Sequence, residues 1–222
     1  MLIIQLYVMS LIMIRHSNRE KITSSKENGL TANLNPKGIR NAKIFGRELK
    51  DKLDVDIDYI ITTHVQRCID TGNLINSEHH SRTTVYNFNE EESITKLGYL
   101  VPEKKLLFLD YFDEMCKSKN INYPLLFKIL YKNKAVFYKD CNEYGRSFIS
   151  KFYLPARTNL IVAHDVNVAP LMHFLSHTFK FPLTEEMIKP KPLCGFHFTI
   201  VRDRFFIDWI DFKKGINLRK LI

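Results

Sequence analysis

The chain begins with an almost unbroken apolar run, Ile3 to Ile14 (IIQLYVMSLIMI), rich in β-branched and large side chains and without helical polarity. Such a run predicts a strand covered on both faces, as in a parallel sheet packed between helices. It ends abruptly at Arg15-His16. Residues 20–33 are polar and irregular, a loop long enough to lie over a site. Asn35-Pro36 then reads as an N-cap followed by proline at the first helical position, and Ile39, Ala42, Phe45, Leu49 and Leu53 repeat at the helical period. A short buried strand is predicted at Asp58 to Thr62, a helix over 66–76 and another strand over Thr83 to Phe88.

From about residue 89 to 157 the pattern changes to shorter helical stretches with many lysines and aromatics (YPLLFKILYKNKAVFY, GRSFISKFYL), which predicts an α-helical cap. Asn159 to Ala163 returns to a buried strand that stops at His164-Asp165, and Val166 to Leu175 continues as a helix. Gly195 to Val201 and Arg204 to Ile210 read as a hairpin around an Arg202-Asp203 turn. Strands alternating with helices argue for an α/β three-layer sandwich on a mainly parallel sheet, one domain over residues 1–222 with a small cap inserted at 89–157.

Composition narrows the partners. Apolar residues at 45% and charged residues at 26% are ordinary for a globular chain, which excludes disordered and collagen-like readings. The balance of 33 Lys+Arg against 24 Asp+Glu gives a net charge of +9, a surface that attracts anions. The basic residues are scattered in singles and pairs such as Lys104-Lys105 and Lys213-Lys214, without the like-charge run of a nucleic-acid arm, so no nucleic-acid partner is expected. Cys68, Cys116, Cys141 and Cys194 form no Cys-x-x-Cys pair and are too few to staple a chain of this size, which points to a reducing, cytoplasmic setting. The apolar start lacks a basic n-region and a small-residue cleavage site and is shorter than the ~20 residues of a bilayer span; no membrane span is expected, and secretion is the alternative.

Three predicted strands end in ionisable or polar residues: Arg15-His16, Thr62-Thr63-His64 before Arg67, and His164-Asp165. Parallel sheets bind ligands beyond the carboxyl ends of their strands. Arg15, His16, Arg19, Arg67, His164 and Asp165 would then place three guanidinium groups and two imidazoles around one crevice. That donor set suits a phosphoryl group, whose oxygens match the planar fork of arginine. An imidazole among fixed cations has a depressed pKa and keeps a lone pair for attack on phosphorus, while Asp165 can serve as acid or base. His64, His79, His80, His173, His177 and His197 read as ordinary surface or core residues. The pair His79-His80 with His164-Asp165 imitates a metal phosphohydrolase, but that site is built from helices and His-Asp here follows a β-like run, so neither metal nor cofactor is expected.

These segments resemble the histidine phosphatase superfamily, which includes phosphoglycerate mutases, acid phosphatases and phytases. Its Arg-His-Gly motif is matched by Arg15-His16-Ser17, and the second arginine of the acid-phosphatase branch by Arg19. Leu34, Gly38, Asn41, Ala42 and Gly46 follow its L-T-x-x-G-x-x-Q-A-x-x-x-G helix, and TTHVQRCIDTGNLI its S-S-x-x-x-R-x-x-x-T-A element, with Arg67 as the arginine. AHDVNVAPLMHFL is similar to the acid-phosphatase and phytase form of the last motif, His-Asp followed two residues later by a polar residue, here Asn167.

The resemblance implies a phosphoglycerate mutase-like fold and a phosphomonoesterase acting on a phosphorylated small molecule or phosphopeptide through a phosphohistidine on His16. Arg15, Arg19, Arg67 and His164 would bind the phosphoryl oxygens. Asp165 would protonate the leaving oxygen and later activate water. Ser17, in place of the glycine, offers a hydroxyl donor, and Asn167 is either a phosphate contact or a polar residue at a helix start. Glu20-Lys21 replaces the proline usual after the second arginine, and the chain is shorter than the acid-phosphatase branch. In the other branch a cap glutamate supplies the acid, a role open to Glu90, Glu91 or Glu92; Asp165 is preferred because it directly follows the clamp histidine. A phosphomutase and a non-catalytic phosphate-binding module are the alternatives on the same fold, and the sequence does not indicate an oligomeric state.

Overall fold

The computed structural model describes residues 8–22, 31–53, 57–78, 84–87, 145–146, 148–149, 158–201, 204–213 and 215–222. Apart from two short helical pieces at 145–146 and 148–149, the predicted cap lies outside the described residues, and so do Glu90, Glu91, Glu92, His79, His80, Cys116, Cys141 and the Arg202-Asp203 turn. In chain order the elements are β1 (Val8–Arg15), α1 (Pro36–Leu53), β2 (Tyr59–Thr62), α2 (Gln66–Glu78), β3 (Thr84–Asn87), β4 (Thr158–Ala163), α3 (Asp165–Phe179), α4 (Glu185–Ile188), β5 (Gly195–Val201), β6 (Arg204–Phe212) and β7 (Ile216–Lys220).

The strands form one seven-stranded sheet in the order β3-β2-β4-β1-β5-β6-β7. Strands β3, β2, β4 and β1 are parallel, while β5, β6 and β7 extend the sheet in antiparallel steps from β1. Successive side chains of a strand face opposite sides. Leu11, Ile12, Met13 and Ile14 are each at most 2% exposed, so β1 is covered on both faces, as its unbroken apolar run requires. Phe45, Ile75, Leu160, Ile161, Val162, Phe196 and Trp209 complete the same core. Among the described residues no helix is long and apolar enough to cross a membrane.

The α1 start follows its sequence signature. Asn35 Oδ1 accepts the Gly38 N–H at 2.8 Å, with Pro36 at the first helical position where a missing N–H has no consequence. Ala42, Phe45, Leu49 and Leu53 are buried, but Ile39 is 42% exposed, so in the first turn the inward position is Gly38 rather than Ile39. A Cβ on Gly38 would run into the Asn18 carbonyl; glycine is what lets the first turn of α1 lie against the segment that follows β1. Gly46 likewise admits the backbone of α2 at Ile75.

Candidate active site

Strand register gathers the site. Arg15 pairs with Ala163 and Thr62 with Val162, so the residues just beyond the three adjacent strand ends, His16, His164 and Thr63, emerge side by side. The ladder continues one step further: His16 N–H donates to Ala163 O at 2.8 Å and Thr63 N–H to Val162 O at 3.3 Å. The two imidazole rings meet edge to face, with centroids 5.2 Å apart and planes at 71°.

Partner chemistry fixes the His16 tautomer. His16 Nδ1 lies 2.7 Å from Ser17 O, an atom that only accepts, so Nδ1 carries the proton. Arg67 Nε–H, which only donates, reaches His16 Nε2 at 3.1 Å, so that nitrogen presents its lone pair. The Nη2 of the same arginine lies 3.5 Å from His164 Nδ1, while His164 Nε2 faces Thr63 Oγ1 at 3.3 Å. Arg67 therefore bridges both imidazoles.

Burial and neighbouring cations act on these groups in the same direction. Burial first, then the charges of His164, Arg15 and Arg67, hold His16 well below the ordinary histidine value of 6.5, against the opposing Ser17 carbonyl. His164 is lowered well below 6.5 by burial and by Arg67, Arg15, Arg19 and His64. Burial brings Arg67 down to about 10, with Arg19 and Arg15 adding to the shift, and it stays charged at neutral pH. Cys68 Sγ sits 3.6 Å from His164 Nε2; burial pushes it up to about 12, so it is a packing thiol rather than a nucleophile.

Arg15 is held by the turn before β5. Its Nη1–H donates to Pro190 O at 2.8 Å, its Nη2 is 3.4 Å from Asp165 Oδ2, and its Nε is buried with no hydrogen-bond partner among the described residues. Its backbone pairs with Leu193 N–H and Cys194 O at 3.0 Å each. Leu193 takes a left-handed φ of 61°, costly for a bulky residue, in a turn closed by Cys194 N–H to Lys191 O at 3.0 Å. Its fully buried side chain keeps it there.

The structure thus brings Arg15, His16, Arg67, His164 and Asp165 together. Arg19 is more peripheral: its Nη1–H donates to Glu20 O at 2.8 Å, and its charge still lowers His164 and Arg67. One expectation changes, and one of the two readings of Asn167 gains support. The Ser17 hydroxyl does not stand ready for a ligand, because it is fully buried and donates to Gly38 O at 2.8 Å. Asn167 Oδ1 accepts the His164 N–H at 3.2 Å, a helix-start bond that orients the histidine. Sequence reasoning gave no role to Thr71, whose Oγ1 accepts Ser17 N–H at 3.1 Å and donates to Arg67 O at 2.7 Å. The signal was there: Thr71 is the threonine of the R-x-x-x-T-A resemblance, one helical turn after Arg67.

Residues 11–91 match the family model of the histidine phosphatase superfamily (branch 1). No curated protein sequence matches the chain. Among solved structures, a candidate phosphohistidine phosphatase, SixA, from Agrobacterium tumefaciens is 14% identical, with 94% of this chain and 98% of that one covered at a TM-score of 0.51. A phosphoglycerate mutase from Bacillus anthracis str. Sterne is 15% identical, with 90% and 91% covered at a TM-score of 0.52. At such identities the likeness is one of fold.

Proposed function

We propose that this chain is a member of the histidine phosphatase superfamily that hydrolyses phosphate monoesters through a phosphohistidine on His16. The observation that carries the reading is the buried His16 imidazole, neutral, protonated at Nδ1 and presenting the Nε2 lone pair among Arg15, Arg67 and His164. As the phosphoryl group enters, the Arg67 Nε–H leaves Nε2 for a phosphoryl oxygen; the freed Nε2 lone pair attacks phosphorus and the bond to the ester oxygen breaks, with a proton from Asp165 passing to that oxygen. Water then attacks the phosphohistidine, Asp165 takes its proton, and phosphate leaves with Nε2 restored. Arg15, Arg67 and His164, with Arg19 at the rim, neutralise charge on the equatorial oxygens, the largest contribution to expect in phosphoryl transfer.

Asp165 as the acid is the feature of the acid-phosphatase and phytase branch, although the matching family model is that of branch 1. Its support here is position: Asp165 opens α3 directly after His164 and reaches Arg15. We assign residues 89–157 to a cap that selects a phosphorylated small molecule or phosphopeptide, within a single domain. The buried free thiols of Cys68 and Cys194 support a cytoplasmic setting.

The test is phosphate release from an aryl and an alkyl phosphate with EDTA present. Wild type is expected to turn over both without metal and His16→Ala neither. Asp165→Asn is expected to lose on the order of 10²-fold on the alkyl ester and much less on the aryl ester, whose leaving oxygen needs no proton. Wild-type rates from His16→Ala would overturn the reading.

A further inference from the structure

His16 and three neighbours, Ser17, Thr71 and Arg67, close a ring in which every donor points the same way. Arg67 Nε–H donates to His16 Nε2 at 3.1 Å, and His16 Nδ1–H donates to Ser17 O at 2.7 Å. Ser17 N–H donates to Thr71 Oγ1 at 3.1 Å, and Thr71 Oγ1–H returns to Arg67 O at 2.7 Å. His16, Ser17, Arg67 and Thr71 are all buried, with Ser17 and Thr71 fully so. A second bond from Ser17, its hydroxyl to Gly38 O at 2.8 Å, ties the ring to α1.

The direction of the ring has chemical content. A reversed His16 tautomer would set its Nε2–H against the Arg67 donor and its bare Nδ1 against the Ser17 carbonyl, two repulsive contacts at once. Polarisation passes from acceptor to donor only through the His16 imidazole and the Thr71 hydroxyl; at Ser17 and Arg67 the ring is closed by covalent backbone and side chain. Thr71 is the member that no chemical step requires. It holds the N–H of the His16–Ser17 peptide, across the Ser17 Cα from the carbonyl that faces Nδ1, and it links that segment to the helical turn that aims Arg67.

We propose that Thr71 is a positioning residue that keeps His16 in its Nδ1–H tautomer by closing this ring. The inference rests on the phosphohistidine reading for its effect on rate, but its first readout does not. In ¹⁵N-labelled protein the two-bond proton–nitrogen pattern of His16 reports which nitrogen bears the proton. Wild type is expected to show the Nδ1–H form alone, Thr71→Val a mixture, and Thr71→Ser the wild-type pattern. Labelling of His16 from a phosphate ester is expected to slow by roughly 10–100-fold in Thr71→Val, with KM little changed, and to recover in Thr71→Ser. If Thr71→Val fails to fold, Thr71→Ala removes the same hydroxyl from a helical position that favours alanine. An unchanged His16 tautomer in the folded variant overturns the proposal. A tautomer shift in a protein that hydrolyses no ester leaves the ring standing and removes the phosphatase reading instead.

Discussion

His16 is prepared by what surrounds it more than by its own chemistry. A histidine in water is half charged near pH 6.5, and a charged imidazole has no lone pair to offer. Burial first, and then the neighbouring guanidinium groups of Arg15 and Arg67, push His16 and His164 well below that value, so both stay neutral as the solution is acidified. Turnover is therefore expected not to fall as pH drops through 6.5. A kcat/KM profile that loses half its value with a midpoint near 6.5 would contradict a buried neutral nucleophile. At this scale the sequence was informative where residue type and chemistry coincide: Arg15, His16, Arg67, His164 and Asp165 follow strand ends and carry charge or a lone pair. Thr63 and Thr71 fell within the S-S-x-x-x-R-x-x-x-T-A resemblance, but their roles were not legible, because a hydroxyl in a strand end or helix has no chemistry of its own until register and pairing show what it touches. The Ser17 hydroxyl was read as a ligand donor for the converse reason, since only the fold shows Gly38 O within its reach.

Elements were legible where the environment is uniform. Strands β1, β2 and β4 are apolar runs buried on both faces, and each stops at the polar residues that form the site. Helix α1 announced itself through Asn35-Pro36 and its apolar period, while Ile39, which fits the period, is exposed because in the first turn it is Gly38 that is buried, against the segment after β1. Helix α3 starts at Asp165 and runs to Phe179, past the predicted end at Leu175, until Lys180 caps it in a left-handed conformation. Strand β7 was missed because INLRK buries only Ile216 and leaves the rest exposed, so it has neither alternation nor an apolar run to mark it. Its existence depends on pairing with β6, which a linear reading does not contain.

Across the whole molecule the buried imidazoles impose a pH limit on folding. His197 lies between Ser10 Oγ at 2.6 Å and Thr199 Oγ1 at 3.0 Å, and burial lowers it to about 4; His173 is lowered to about 4 for the same reason. The unfolded chain takes up these protons near pH 6.5 and the native state only near 4. Stability is thus complete above pH 6.5 and falls as pH drops toward 4, by roughly 3 kcal/mol for each of the two residues, with His16 and His164 acting in the same direction. Urea melts at pH 7 and pH 4.5 are expected to show this loss, and His197→Gln to reduce it. Equal stability at both values would mean that the imidazoles are not buried as neutral groups. The same interior that keeps His16 neutral in acid therefore makes the fold sensitive to acid.

Trapping the proposed phosphoenzyme gives the most direct answer. Wild type mixed with a ³²P-labelled phosphate ester and quenched in alkali, where a phosphohistidine survives, is expected to carry label on the peptide containing His16. That label should be lost in acid and never form in His16→Ala. Label on another residue, or hydrolysis at the wild-type rate by His16→Ala, would contradict nucleophilic attack by His16.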